Sequence, residues 1–296
     1  MAIVALVADT ALAFRPQDAV PPGIQVPTVT PTAPVGDPGP VSSRDRRVRA
    51  DALPSSSTLR EAARAAALVT TTNSIGHGDA VRRVSDIGTG VLISTCHVLT
   101  ARHVLGDPRL DGETAEQRID IRFHTLPISR EATDPGEAIT RTAVVAAWGR
   151  SGRLLDDWAL LRLDRPVESI TPLGLAEDAC CGASGWIENA LAGYPADRFD
   201  PTAPAVWVDP DCGRLTRLAN GVLATRCQAT SGNSGGPVLA FQDDAWRIVA
   251  ILTRAPGPRE MRTGQTYAIP IGARLRRAIA DVDLGVCGET SPPVPY

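Results

Sequence analysis

Beyond about residue 65 the chain alternates short apolar runs with clusters of Gly, Asp, Pro and Ser. The runs lie at 91–93, 97–100, 143–148, 159–163, 186–192, 238–241 and 247–253. Runs this short, with turn residues this frequent, predict antiparallel strands in a sandwich or barrel. Two stretches carry helical signs instead. Thr58-Leu59-Arg60-Glu61 has the T-x-x-E spacing of a capping box, and AARAAAL follows it. Near the other end Ile271, Leu275 and Ile279 share one face at i, i+4 and i+8, with arginines opposite. That spacing predicts a helix over about 272–281. Ahead of all this the texture differs. Residues 1–13 read MAIVALVADTALA, like the apolar core and cleavage end of a secretory signal, although no basic region precedes it and Asp9 interrupts it. Between Pro16 and Pro40 lie eight prolines, which remove backbone donors and fix φ. Residues 1–57 therefore read as an apolar start followed by an extended linker or propeptide. The arginines at 44, 46, 47 and 49 read as a solvated charge run, with a processing site as the alternative.

Composition narrows the classes. Of 296 residues 43% are hydrophobic, too many for wholesale disorder, and the length suits one large domain or two ordinary ones. Thirty arginines, with no lysine, face thirty-three acids, so the net charge of -3 leaves no electrostatic footprint for nucleic acid. No apolar run approaches the ~20 residues that span a bilayer. Six cysteines stand at 96, 180, 181, 212, 227 and 287 without a C-x-x-C unit, which argues against zinc. They are either buried thiols or disulfides of an oxidising compartment. Cys212 and Cys227 are the best pair because they flank one hairpin, and closing that loop contributes about 3 kcal/mol in the chain-entropy picture.

Three segments carry candidate chemistry: GTGVLI at 88–93 with VLTARH at 98–103, DWALL at 157–161, and SGNSGGPV at 231–238. A serine hydroxyl is a poor nucleophile and needs both a base and an anion-stabilising pocket. Gly232 can aim its N–H at the same space as the N–H of Ser234, and two such donors on a developing oxyanion contribute several kcal/mol. Ser234 is therefore the candidate nucleophile. His103, ending a strand-like run, is the candidate base, and Asp157, opening an apolar strand, the acid that orients it. Asp156 competes for that role, but the D-x-A-L-L phase favours Asp157. His77, His97 and His124 read as structural or exposed. All four histidines precede residue 125, so the order is His–Asp–Ser. A triad that needs Asp before His, or His after Ser, is excluded.

TARH, then DWALL, then GNSGGP resembles the trypsin-like (chymotrypsin-fold) serine endopeptidases over about residues 69–283, nearest the bacterial trypsin-like and glutamyl-endopeptidase branch. The resemblance implies an all-β fold of two six-stranded antiparallel β-barrels with the active site between them, plus a C-terminal helix. Residues 58–170 would hold the short helix and first barrel, with His103 and Asp157. Residues 171–287 would hold the second barrel, with Ser234, and residues 288–296 a tail. It implies peptide-bond hydrolysis through an acyl-enzyme by a monomeric, secreted or envelope enzyme acting on protein or peptide substrates, without metal or cofactor. Gly193-Tyr194-Pro195 resembles the segment that opens the second barrel.

The sequence departs from the animal pattern. The residue before the serine is the neutral Asn233, so the salt-bridge activation switch is expected to be absent. Gln228 stands where trypsins place the acid that selects basic side chains, which does not support a trypsin-like preference. Thr253, Arg254 and Ala255 align with the substrate-lining strand, and Arg254 is a candidate attractor for an acidic side chain. The competing function is a catalytically inactive protease-fold binding module.

Overall fold

The frequent turns resolve into two antiparallel sheets. The computed structural model describes residues 45–295 apart from 76–81, 107–113, 125–137, 151–152, 178–188, 255–264 and 289–293. In chain order the elements are β1 (Val48–Arg49), α1 (Thr58–Ala63), β2 (Ala66–Ile75), β3 (Arg82–Ser94), β4 (His97–Thr100), β5 (Thr114–Phe123), β6 (Ile139–Trp148) and β7 (Ala159–Leu163). There follow β8 (Asn189–Gly193), β9 (Trp207–Asp209), β10 (Thr216–Arg217), β11 (Leu223–Thr225), β12 (Pro237–Gln242), β13 (Ala245–Arg254), β14 (Thr266–Pro270), α2 (Ala273–Ala280) and β15 (Val294–Pro295).

The first sheet runs β6-β5-β2-β3-β4-β7, and β7 pairs again with β6, closing a six-stranded barrel. β15 pairs in parallel with Ala147 and Trp148 at the end of β6. Val69, Val91, Leu99, Ile121, Phe123, Leu161 and Leu163 are fully buried in the barrel. The second sheet runs β1-β9-β8-β12-β13-β14-β11-β10. It departs from the closed six-stranded barrel that the resemblance implies: among the described residues no ladder joins β9 to β11, and the sheet curls as a half-barrel. The ends meet by other means. The Cys212–Cys227 disulfide links the segments that follow β9 and β11, and Arg226 N–H donates to Cys212 O at 3.1 Å. The expected pairing of Cys212 with Cys227 is thus found. A second disulfide joins Cys96 to Cys287 across 191 residues, returning the chain end to the first barrel. Cys180, Cys181 and His77 lie outside the described residues.

Three expectations shift at residue level. The N-cap of α1 is Ser57, whose Oγ accepts from Arg60 N–H, one residue ahead of the T-x-x-E reading. The helix stops at Ala63, because Ala66 and Ala67 are claimed by a ladder to Val91 and Gly90. The linker reading of residues 1–57 meets a packed segment at its end: Val48 and Arg49 pair with Val208 and Trp207, and Ala50 is fully buried. The terminal helix falls where predicted, with Leu275 and Ile279 buried. Among the described residues no helix is long and apolar enough to cross a membrane.

His97 is fully buried in β4. Ser94 Oγ donates to Leu284 O at 2.9 Å, so it accepts from His97 Nδ1 at 3.1 Å, which fixes the proton there. Nε2 is buried and meets no hydrogen-bond partner among the described residues. Burial lowers the imidazole pKa from 6.5 to about 4. Below 6.5 the unfolded chain therefore binds a proton that the folded chain refuses, and stability falls as pH drops from 6.5 toward 4. The slope for one such proton is about 1.4 kcal/mol per pH unit. Urea unfolding at stepped pH is expected to show this slope in the wild type and a shallower one in His97→Asn, which keeps a donor toward Ser94. Equal slopes would refute the assignment.

Candidate active site

The loop that carries Ser234 is held by the first barrel. Thr89 in β3 does most of the holding. Its N–H donates to Ser234 O at 2.8 Å, its hydroxyl donates to Gly232 O at 2.7 Å, and the same oxygen accepts from Tyr194 N–H at 3.0 Å. Thr89 O in turn accepts from Thr100 Oγ1 at 2.7 Å. One threonine thus fixes the serine loop, the start of the segment after β8 and the strand before His103. GTGVLI at 88–93 stood among the segments of candidate chemistry, but nothing in the sequence marked this role for Thr89.

Glycines are required here by contact. Gly235 has φ +83°, and a Cβ would sit 2.1 Å from Thr89 O. Gly232 has φ +88°, and a Cβ would sit 2.3 Å from Tyr194 O. The left-handed φ and the close backbone approach each exclude a side chain. Ser231 O accepts from Ala196 N–H at 2.7 Å. In a trans peptide the N–H points opposite to the carbonyl, so the Gly232 N–H is turned away from Ala196. The buried Asn233 closes the loop on itself: its Oδ1 accepts from Thr230 N–H at 3.1 Å, and its own N–H donates to Thr230 O at 3.1 Å. It stands where the activation carboxylate would be and pairs within its own turn.

His103 lies in a 3-10 turn, Arg102–Leu105, that follows β4, not at a strand end as the pattern suggested. The displacement serves Asp157. Its Oδ2 accepts from His103 Nδ1 at 2.7 Å and its Oδ1 from His103 N–H at 2.9 Å. Because a carboxylate only accepts, the imidazole proton sits on Nδ1 and leaves Nε2 as the basic nitrogen. Thr253 Oγ1 also donates to Asp157 Oδ2. The competing acid faces elsewhere: Asp156 is buried and takes two bonds from Arg274 Nη1 in α2, at 2.9 and 3.0 Å.

Ser234 enters the same neighbourhood through its backbone. A Cβ built on Gly88 would lie 3.1 Å from Ser234 O and 2.5 Å from the side chain of Val104, the residue after His103. From the other side Gly235 N–H donates to Leu252 O at 2.6 Å, and Leu252 precedes Thr253. The residues read from the sequence, His103, Asp157, Ser234, Gly232 and Thr253, are thus gathered at one place between the sheets. Gln228 lies at the base of the loop, with its Oε1 accepting from Arg46 N–H at 2.6 Å. Arg254 ends β13, its side chain is not described, and Ala255 lies outside the described residues. His124 is half-buried and meets the Tyr194 hydroxyl at 2.9 Å. Among the described residues no cluster of His, Cys, Asp or Glu is arranged to hold a metal.

Asp86 in β3 was missed by the sequence reading. Gly106, whose N–H donates to His103 O at 3.1 Å, would bring a Cβ to 3.8 Å from Asp86 Oδ2. Burial pushes the Asp86 carboxyl pKa up, while the nearby His103 cation pulls it down. For His103 burial disfavours the cation, yet Asp157 and then Asp86 outweigh it and raise the imidazole above 6.5. A base must be unprotonated, so any activity that uses His103 is expected to fall as pH drops through that raised value. Asp86→Asn removes one of the raising charges. Its acidic limb in kcat/KM is expected at lower pH than the wild type's, and a limb that stays put or moves up counts against this account.

The trypsin-like peptidase domain family matches residues 88–251, which take in all three segments. No curated protein sequence matches the chain. Among solved structures, a Glu endopeptidase in complex with MPD is similar, with a TM-score of 0.55 at 15% identity, covering 81% of this chain and 98% of that one.

Proposed function

The chain belongs to the trypsin-like peptidase domain family, and from that premise we propose that it is a serine endopeptidase working through Ser234, His103 and Asp157. The observation that carries this reading is the 2.7 Å bond from His103 Nδ1 to Asp157, a carboxylate that also accepts from Thr253. In the proposed reaction Ser234 Oγ attacks the scissile carbonyl carbon as His103 Nε2 takes the hydroxyl proton. The carbonyl π electrons move onto oxygen, where the Gly232 and Ser234 N–H groups receive the charge. Collapse of the tetrahedral species expels the amine, which takes the proton from His103, and leaves an acyl ester on Ser234. Water, deprotonated by the same imidazole, then attacks the ester carbonyl, and the second collapse releases the carboxylic acid and expels Ser234 Oγ, which takes the proton back from His103. Asp157 holds the tautomer and stabilises the transient imidazolium without taking the proton. Oxyanion donors fixed before the reaction contribute about 3–4 kcal/mol each to lowering the barrier.

The two disulfides, Cys96–Cys287 and Cys212–Cys227, support an oxidising, extracytoplasmic site of action. The test of the function is a fluorophosphonate probe on the folded protein, followed by mass analysis of the adduct. The expected result is one phosphonyl group, on the peptide that contains residues 231–238. Folded protein that takes no label supports the inactive binding module instead.

A further inference from the structure

The segment Asp45–Arg47 lies far in sequence from the serine loop, yet it grips the stretch leading into it. Arg46 N–H donates to Gln228 Oε1 at 2.6 Å, and Arg46 Nη2 donates to Arg226 O at 3.0 Å. The same Nη2 pairs at 3.0 Å with Asp209, which is nearly fully buried and whose Oδ2 accepts from Gln228 N–H at 2.7 Å. Arg47, with its side chain only 10% exposed, donates to both oxygens of Asp197 at 2.9 and 2.7 Å and to both oxygens of Asp45 at 3.0 and 2.9 Å. Asp45 also accepts from Arg198 at 2.7 Å. Asp197 accepts from Thr230 Oγ1 at 2.7 Å. Residues 226, 228 and 230 are therefore held in alternation from one side.

Asp197 belongs to the 3-10 turn Ala196–Arg198, and Ala196 N–H is the donor that fixes Ser231 O. The Ser231–Gly232 peptide needs such a partner. Gly232 has no Cβ and a left-handed φ, so its own conformational preferences resist rotation of that peptide weakly. Arg47 ties the donor's turn to Asp45, and through Asp197 and Thr230 to the loop itself. Bidentate Arg–carboxylate pairs of this kind fix orientation as well as distance.

We propose that Asp45–Arg47 is a positioning strap, in which Arg47 acting through Asp197 and Thr230 holds the Ser231–Gly232 peptide so that the Gly232 N–H faces the oxyanion. The inference rests on the protease reading for its effect on turnover, but the strap itself can be tested without it. It replaces the solvated-run reading of Arg46 and Arg47, and it makes chain cleavage after either of them inactivating.

The experiment uses the full chain with Arg47→Met, Arg47→Lys and Thr230→Val, and with Arg49→Met as control. Arg49 pairs at 2.6 Å with Asp51, two residues on, and among the described residues no side-chain bond joins it to the loop. Two quantities are measured: kcat and KM on a peptide substrate, and amide hydrogen exchange over residues 194–198 and 228–234. Arg47→Met is expected to lower kcat by about 10-fold or more, approaching the 10²–10³ lost with an oxyanion donor, while KM changes by less than about 3-fold. Exchange at Ala196 is expected to accelerate. Arg47→Lys is expected to recover part of both, and Thr230→Val, which cuts one link and leaves every charge in place, to show a smaller change in the same direction. Arg49→Met is expected to match the wild type. Wild-type exchange at Ala196 in Arg47→Met and Thr230→Val would overturn the strap, as would an equal fall in kcat for Arg49→Met. If the wild type cleaves no peptide, the protease reading falls and the exchange rates alone decide the strap.

Discussion

Ser234→Ala is expected to lower kcat by about 10⁴–10⁶-fold and to abolish fluorophosphonate labelling while the protein stays folded. The fold should survive because the ties that seat this residue are backbone ties. Ser234 O accepts from Thr89 N–H, and the neighbouring Gly235 N–H donates to Leu252 O. An alanine keeps them all and removes only the hydroxyl. Thermal unfolding alongside turnover checks both halves. A variant that keeps more than about a hundredth of wild-type turnover would remove Ser234 from the nucleophile's role.

Asp157→Asn is expected to cost about 10⁴ in kcat near neutral pH with KM little changed. The amide can still accept from the His103 N–H and keep the turn in place. Its NH₂ then takes the place of Oδ2 and faces both His103 Nδ1 and the Thr253 hydroxyl. Facing Nδ1, it donates, and the imidazole proton is driven to Nε2, the nitrogen that must accept from serine. The matching change at Asp156 separates the two acids. Asp156→Asn breaks the pair with Arg274 and should lower stability, without the large loss in kcat. Comparable losses in kcat for both variants would contradict the assignment of Asp157.

The strands visible in the sequence were those whose apolar residues are contiguous because both faces are covered. Residues 159–163 and 97–100 are such strands, and every residue of β7 and β4 is buried. β2 was largely invisible. Its residues Thr70 to Ser74 are polar, and yet β2 sits between β3 and β5 with Thr71 fully buried and Asn73 nearly so. Asn73 is served by Gln117, which donates to its Oδ1 at 3.0 Å. A polar side chain that finds its partner on the neighbouring strand leaves no hydrophobic signature. The short helix read there is present but stops at Ala63 for a related reason: alanine suits a helix and a crowded barrel wall alike, and tertiary pairing decided in favour of the wall at Ala66.

At the site, the chemistry was legible where it rests on residue type in local order. GNSGGP, TARH and DWALL each pack a reactive group and its backbone requirement into a few residues, and the absence of histidine after residue 124 fixed their order. The supports were not legible, because each one acts across a large sequence separation. Thr89 holds Gly232 from 143 residues away, and Arg46 reaches Gln228 across 182. A hydrogen bond depends on position in space, and sequence records only position along the chain. By itself, then, the sequence determined the candidate residues, their order and the β character of the chain. The tertiary structure decided between the two adjacent aspartates that the sequence could only rank, and it alone showed that Arg46 and Arg47 bond to the stretch before the serine loop and to Asp197, and that a disulfide joins the second sheet where no ladder does among the described residues. Each of those outcomes depends on directions in space that only the packed barrels define.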